Sequence, residues 1–211
     1  MEYYLCVLDF EATCWGSDNG NMTEQMEIIE FPSVLYRVVE EYYSSENIKS
    51  IDITELSTFA EYVRPTMNPV LSDFCTELTG ITQATVDAAD EFAAVYERHQ
   101  KWLAANLPVG ARLIMATYGH WDLKTQLPRE LRNKALRAHE YYKTYVNVKE
   151  EFKTIMGERA GGMPDVLAKL GLPLVGRHHS GIDDTRNIAR IMFVLIGRGH
   201  IYDKFTIMSM A

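Results

Sequence analysis

Tyr3-Tyr4-Leu5-Cys6-Val7-Leu8-Asp9-Phe10-Glu11-Ala12-Thr13-Cys14-Trp15 is an apolar run with two carboxylates set near its end. Its aliphatic and aromatic content predicts a buried β-strand. Strands send successive side chains to opposite faces, so Asp9 and Glu11 share one face and Phe10 takes the other. Two carboxylates about 6 to 7 Å apart along a strand can both reach cations at its end. Hard divalent ions such as Mg²⁺ and Mn²⁺ prefer such oxygen ligands. Taken alone the pair is weak, because 11 Asp and 18 Glu in 211 residues give about one Asp-x-Glu by chance. Its weight depends on further acids reaching the same place.

A chain of 211 residues with 47% apolar content can bury a full core, and the expectation is one domain over residues 1–211. No run of 18 apolar residues is present, which excludes a spanning helix, and no basic region precedes the short first apolar run, which argues against a signal peptide. Cys6, Cys14 and Cys75 are odd in number and lack CxxC spacing, so they read as core or strand residues of a protein in a reducing compartment, cytoplasmic or nuclear. The net charge of -8 hides an asymmetry: residues 1–100 carry 4 basic and 19 acidic side chains, residues 101–211 carry 17 and 10. A basic half hints at a polyanionic partner, while the acidic total argues against tight non-specific binding to long duplexes.

Residues 16–25 read as a surface loop, and Met26 to Val39 as a long strand in which Pro32 predicts a bulge or a division. Glu40 to Asn47 reads as an acidic hairpin connection, and Ile48 to Val63 as a third strand. The remainder is mostly helical: a helix through Leu71, Phe74, Cys75 and Leu78 stopped by Gly80, a restart capped by Thr82, and an amphipathic helix within residues 89–106. Residues 111–118 form a buried strand and Tyr145 to Val148 a short edge strand, with helices near residues 149–156, 163–170 and 184–197. Three strands followed mainly by helices describe an α/β chain that opens with an antiparallel meander.

Asp122 stands where a buried strand hands over to a helix, a position that suits either a ligand site or an N-cap. The last helix can be phased. Ile188, Ile191, Met192 and Leu195 form its apolar stripe, and stepping back four residues reaches Asp184, which therefore faces the sheet. A carboxylate there needs a partner, and a metal ion would supply one. Asp183 reads instead as a helix-starting cap. His178 and His179 precede this helix on a loop, where an imidazole with an ordinary pKa near 6.5 can take a proton at neutral pH. Arg132, Lys134 and Arg137 form a basic stretch expected to help capture a polyanion.

With these residues in view, the chain resembles the DEDDh group of 3'-5' exonucleases, and more narrowly the histone-mRNA 3'-end and enhanced-RNAi exonucleases. The segments that carry the resemblance are Leu8-Asp9-Phe10-Glu11-Ala12-Thr13-Cys14, Glu27-Ile28-Ile29-Glu30-Phe31-Pro32, Tyr62-Val63-Arg64-Pro65, Leu71-Ser72-Asp73-Phe74-Cys75, Leu78-Thr79-Gly80-Ile81-Thr82, Trp121-Asp122 and the run from His179 to Arg190. They follow family order over nearly the whole chain. The resemblance implies a ribonuclease H-like fold, a mixed sheet of about five strands flanked by helices. It implies that Asp9, Glu11, Asp122 and Asp184 bind two metal ions, Mg²⁺ with Mn²⁺ able to substitute, and that His179 is the general base. It further implies that Phe10, Ala12 and Thr13 hold the 3'-terminal nucleotide while Leu78 and Thr79 line its base pocket. Leu78-Thr79-Gly80 also reads as a plain helix stop, and Trp121 either stacks on a base or packs beside Asp122.

The implied reaction is release of 5'-nucleoside monophosphates from single-stranded or frayed 3' ends, RNA in preference to DNA. The alternatives are a DNA or general nuclease, and a catalytically silent nuclease fold acting as a nucleic-acid-binding adaptor. The chain departs from its relatives in starting almost on the catalytic strand, in lacking a zinc-binding extension after the last helix, and in having Tyr118-Gly119-His120 before Trp121 where Gly-Ser is common. The expectation is that histone-mRNA specificity does not transfer, that a partner protein can supply specificity instead, and that no membrane is involved. Oligomeric state is unknown from the sequence.

Overall fold

The computed structural model describes residues 1–16, 23–44, 47–199 and 202–210. The opening run forms β1 (Glu2–Leu8), fully enclosed after Glu2, and β2 (Glu11–Ala12) resumes its line two residues later. Both pair antiparallel with β3 (Ile28–Ser44), whose other edge carries β4 (Asn47–Tyr62). On its far side β1 pairs parallel with β5 (Leu113–Thr117), β5 pairs parallel with β6 (Thr144–Asn147), and β7 (Ile207–Ser209) adds an antiparallel rung beyond β6. The sheet therefore has seven strands rather than about five, and β6 is not its edge. The extra strands, β2 and β7, have two and three residues, too few to display an alternation.

Because β1 is covered on both faces, its two residue sets feed two cores, which is why it reads as an unbroken apolar run. Tyr3, Leu5 and Val7 pack with α5 (Val148–Met156), α6 (Met163–Lys169) and α7 (Gly181–Gly197). Tyr4, Cys6 and Leu8 pack with α3 (Phe92–Asn106) and α4 (Leu127–Asn133). A smaller cluster of Ile29, Leu71, Cys75, Ile81 and Val86 seats α1 (Asp73–Thr79) and α2 (Gln83–Asp87). Ser72 caps α1 by accepting from the Cys75 amide, Gly80 ends it at φ 75°, and Thr82 caps α2. All three cysteines are free thiols. Among the described residues no helix is long and apolar enough to cross a membrane.

Two expectations about the meander are corrected. Pro32 does not divide β3; it pairs with Ala60 and lies across from the break between β1 and β2, where the ladder on that side is already interrupted. Glu40 and Glu41 belong to β3 rather than to the turn, and residues 45–46 lie outside the described residues. Glu40 is buried because the Tyr3 hydroxyl donates to its carboxylate at 2.9 Å, a partner no local pattern reveals.

The basic stretch is also partly internal. Glu27, 1% exposed, accepts the amides of Thr66, Met67 and Asn68 at 2.8, 2.8 and 2.9 Å and the Lys134 ammonium at 3.0 Å. These bonds hold its carboxyl below the usual range and hold the turn after β4 in place. Lys134 is thus a structural counter-ion to Glu27, not a free phosphate ligand.

Candidate active site

Asp9 emerges in the gap between β1 and β2, and Glu11 opens β2 on the same face. The start of α7 comes down on β3 beside them: the Glu30 carboxylate accepts the Gly181 amide at 3.2 Å, and a Cβ at 181 would lie 2.7 Å from Pro32 Cγ. Only glycine permits that approach. One turn later Asp184 is 3% exposed and faces the sheet, as the helix phase predicts. Carboxylate oxygens of Asp9, Glu11 and Asp184 then lie within 4.8 Å of one another.

Asp122, also 3% exposed, sits in the first turn of a π-helical segment, Trp121–Gln126, that joins β5 to α4. Such segments favour functional sites. Its Oδ1 accepts the Phe10 amide at 2.9 Å, which clamps the backbone between Asp9 and Glu11. Asp122 is therefore not a simple N-cap.

The electrostatics follow from this crowding. Burial and the charges of Asp122, Glu11 and Asp184 hold the Asp9 carboxyl well above the usual carboxylate range. Burial, then Glu30, Asp184 and Asp122, push Glu11 up to about 8, and burial raises Asp122 to about 6. Asp184 uses one oxygen, Oδ2, to accept from His178 Nδ1 at 2.9 Å and from the His179 amide at 2.8 Å. Its other oxygen is buried and without a hydrogen-bond partner among the described residues. A buried carboxylate oxygen left unpaired costs stability unless a cation meets it. Three converging acids with one orphaned oxygen fit a divalent ion; Asp122 is not part of that 4.8 Å cluster, and its Oδ1 is engaged by the Phe10 amide.

Both histidines reach the site, in different ways. Their rings stack at 3.9 Å, and His179 adopts a left-handed backbone, φ 65°. The ring that touches an acid is that of His178. The His179 ring has no hydrogen-bond partner among the described residues, and burial, followed by His178, lowers its pKa.

An open cavity of about 270 Å³ is lined by Asp9, Glu11, Asp184, both histidines and Phe10, and by Tyr118, Met163 and Pro164. Ala12, Thr13, Leu78, Thr79 and Trp121 are outside its wall. Thr13 Oγ1 accepts the Glu27 amide at 2.9 Å, Thr79 Oγ1 donates to the Cys75 carbonyl at 2.8 Å, and Trp121 packs on the α3 side of the sheet. The sequence reading missed Tyr118, whose hydroxyl donates to the Gly161 carbonyl at 2.9 Å and so ties the end of β5 to the approach to α6. Counting by twos from Ile114 and Ala116, which face α7, reaches Tyr118 and was the available signal. It also missed Glu30, which only the Glu11–Glu30 register brings near.

Acids gathered at the ends of central strands of such a sheet, with a histidine loop beside them, make a candidate divalent-metal centre. The chain belongs to the exonuclease family RNase_T, whose sequence profile matches residues 6–192. It is 40% identical over 203 residues to human "ERI1 exoribonuclease 3", covering 95% of this chain and 56% of that protein. Mouse "3'-5' exoribonuclease 1" is 36% identical over 200 residues, 93% of this chain and 54% of that one. The chain thus spans about half the length of these relatives. Among solved structures, the nuclease domain of 3'hExo, a DEDDh family member bound to rAMP, superposes with a TM-score of 0.80 at 34% identity, covering 98% of this chain and 96% of that one.

The crowding sets a stability test that needs no substrate. Mg²⁺ or Mn²⁺ is expected to raise the Tm of metal-free protein by about 3 °C or more, and no shift with either ion would remove the cluster as a cation site. Without metal, the folded chain holds the Glu11 proton up to about 8 against an ordinary value of 4.5, so it binds more protons than the unfolded chain between those values. Metal-free stability should therefore fall as pH rises from 6 to 8, read as Tm by calorimetry.

Proposed function

We propose that this chain is a 3'-5' exonuclease that releases 5'-nucleoside monophosphates from single-stranded or frayed 3' ends, with RNA preferred over DNA. The observation that carries the reading is the convergence of Asp9, Glu11 and Asp184, whose carboxylates each offer an oxygen within 4.8 Å of the others, while one Asp184 oxygen is buried and orphaned. The exoribonuclease names of the relatives and the rAMP in the 3'hExo structure support RNA as the substrate class.

Asp9, Glu11, Asp122 and Asp184 would hold two Mg²⁺ ions, for which Mn²⁺ could substitute; when bound, such ions would neutralise charge on the scissile phosphate and lower the pKa of nearby water. The protein residues do the rest. Asp122 fixes the Phe10 backbone, and so the spacing of Asp9 and Glu11. Asp184 orients both histidines through one oxygen. His179, with its ring unengaged and its pKa lowered, takes the proton of the attacking water at a ring nitrogen. The water oxygen bonds to phosphorus, the bond to the upstream 3'-oxygen breaks with its electron pair staying on that oxygen, which takes a proton from solvent to become a 3'-hydroxyl, and the terminal nucleotide leaves with a 5'-phosphate. Phe10, on the cavity wall, holds the terminal nucleotide together with Ala12 and Thr13, Leu78 and Thr79 line its base pocket, and Trp121 stacks on a base or packs beside Asp122. Residues 1–211 act as a single nuclease domain in a reducing compartment, cytoplasmic or nuclear, and a protein partner supplies specificity beyond the 3' end.

The test uses 5'-labelled RNA and DNA oligonucleotides of one sequence with Mg²⁺, Mn²⁺ or EDTA. A descending ladder with metal and none with EDTA is expected, faster on RNA. Equal or faster trimming of DNA would overturn the substrate class, and intact 3' ends under every condition would overturn the activity.

A further inference from the structure

A helix of seven residues leaves several carbonyls without partners at its C-terminal end, where a cation is also favoured. At the end of α1 the partner comes from far along the chain. Arg177 Nη2 donates to the Glu77 carbonyl at 2.8 Å and to the Leu78 carbonyl at 3.0 Å. The guanidinium lies directly across Gly80, where a Cβ would fall 1.7 Å from Nη1. The Arg177 backbone is fastened too: its amide donates to Asp183 Oδ2 at 2.9 Å, and Gly176, at φ 78°, leaves room for that carboxylate. The next two residues are His178 and His179, both bonded to Asp184.

On its other side α1 is tied to the acid-bearing strand. Ser72 Oγ donates to the Cys14 carbonyl at 2.6 Å, and Cys75 Sγ to the Ala12 carbonyl at 3.6 Å. Arg177 thus closes a loop of contacts running from the Glu11 strand through α1 to the histidines and back to Asp184. We infer that Arg177 is a positioning residue, a clasp that holds the histidine loop over the acids for as long as α1 is seated against the strand that carries them. Its kinetic part rests on the exonuclease reading. An arginine in a nuclease is more simply assigned to substrate phosphate, but here its Nη2 and its amide are both engaged by protein.

The experiment compares wild type, Arg177→Ala and Arg177→Lys. Hydrogen exchange at the amides of residues 177 and 179 requires no activity: about tenfold faster exchange in Arg177→Ala is expected, and unchanged exchange overturns the clasp even if the protein trims nothing. With 5'-labelled RNA, kcat should fall about tenfold in Arg177→Ala while KM and its salt dependence stay within about twofold. A raised KM with kcat retained and a flatter salt dependence would instead make Arg177 a phosphate ligand. Arg177→Lys keeps the charge and loses the planar fork, so it should lie between the other two. If Arg177→Ala does not fold, the lysine variant alone decides by the same two readouts. A wild type that leaves RNA intact would sink the nuclease reading and leave the exchange result standing on its own.

Discussion

Asp184→Asn is expected to reduce 3' trimming by more than about 100-fold, beyond what loss of an outer partner of a metal ligand costs. The same variant should fold, and its metal-free form should melt at a higher temperature than wild type. Both expectations have one origin. Asp184 brings a negative charge to within 4.8 Å of Asp9 and Glu11 and leaves one buried oxygen without a partner. An amide keeps the shape and an acceptor for the His179 N–H but removes the charge that draws a cation. Asp9→Ala should give the same loss of activity. Ladder assays with calorimetry on both variants check this, and an active Asp184→Asn would take Asp184 out of the metal set.

His179→Ala is expected to lose about 10²- to 10⁴-fold in kcat, the usual contribution of a positioned proton acceptor. The pH profile carries the discrimination. Burial favours the neutral imidazole, so the pKa of His179 lies below its ordinary value. Wild-type activity should then be level near neutrality and fall as pH drops through that lowered pKa; His179→Ala should lack this acid limb. His178 is the competitor, because its ring and not its neighbour's touches Asp184. If His178→Ala abolishes the acid limb and His179→Ala retains it, the roles are exchanged.

The parts of this site that repeat with a period were legible in the sequence. Alternation along the first strand put Asp9 and Glu11 on one face, and the phase of the last helix chose Asp184 over Asp183. Contacts between distant segments were not legible. Asp122 gave no sign that it would hold the Phe10 amide, since that bond spans 112 residues. Neighbouring histidines cannot be ranked by spacing, and a left-handed backbone at a residue other than glycine, as at His179, leaves no compositional mark. The same limit explains Glu40 and Lys134. Each reads as solvated charge; Glu40 is enclosed with the Tyr3 hydroxyl as its partner, and Lys134 is partly buried against Glu27 on another segment.

Asp9 follows β1 and Asp184 belongs to α7, so the charges that would attract metal come together only when α7 docks on the sheet. A chain that has formed its sheet but has not yet seated α7 holds only part of the ligand set. Such a chain is expected to bind divalent metal poorly until α7 is seated.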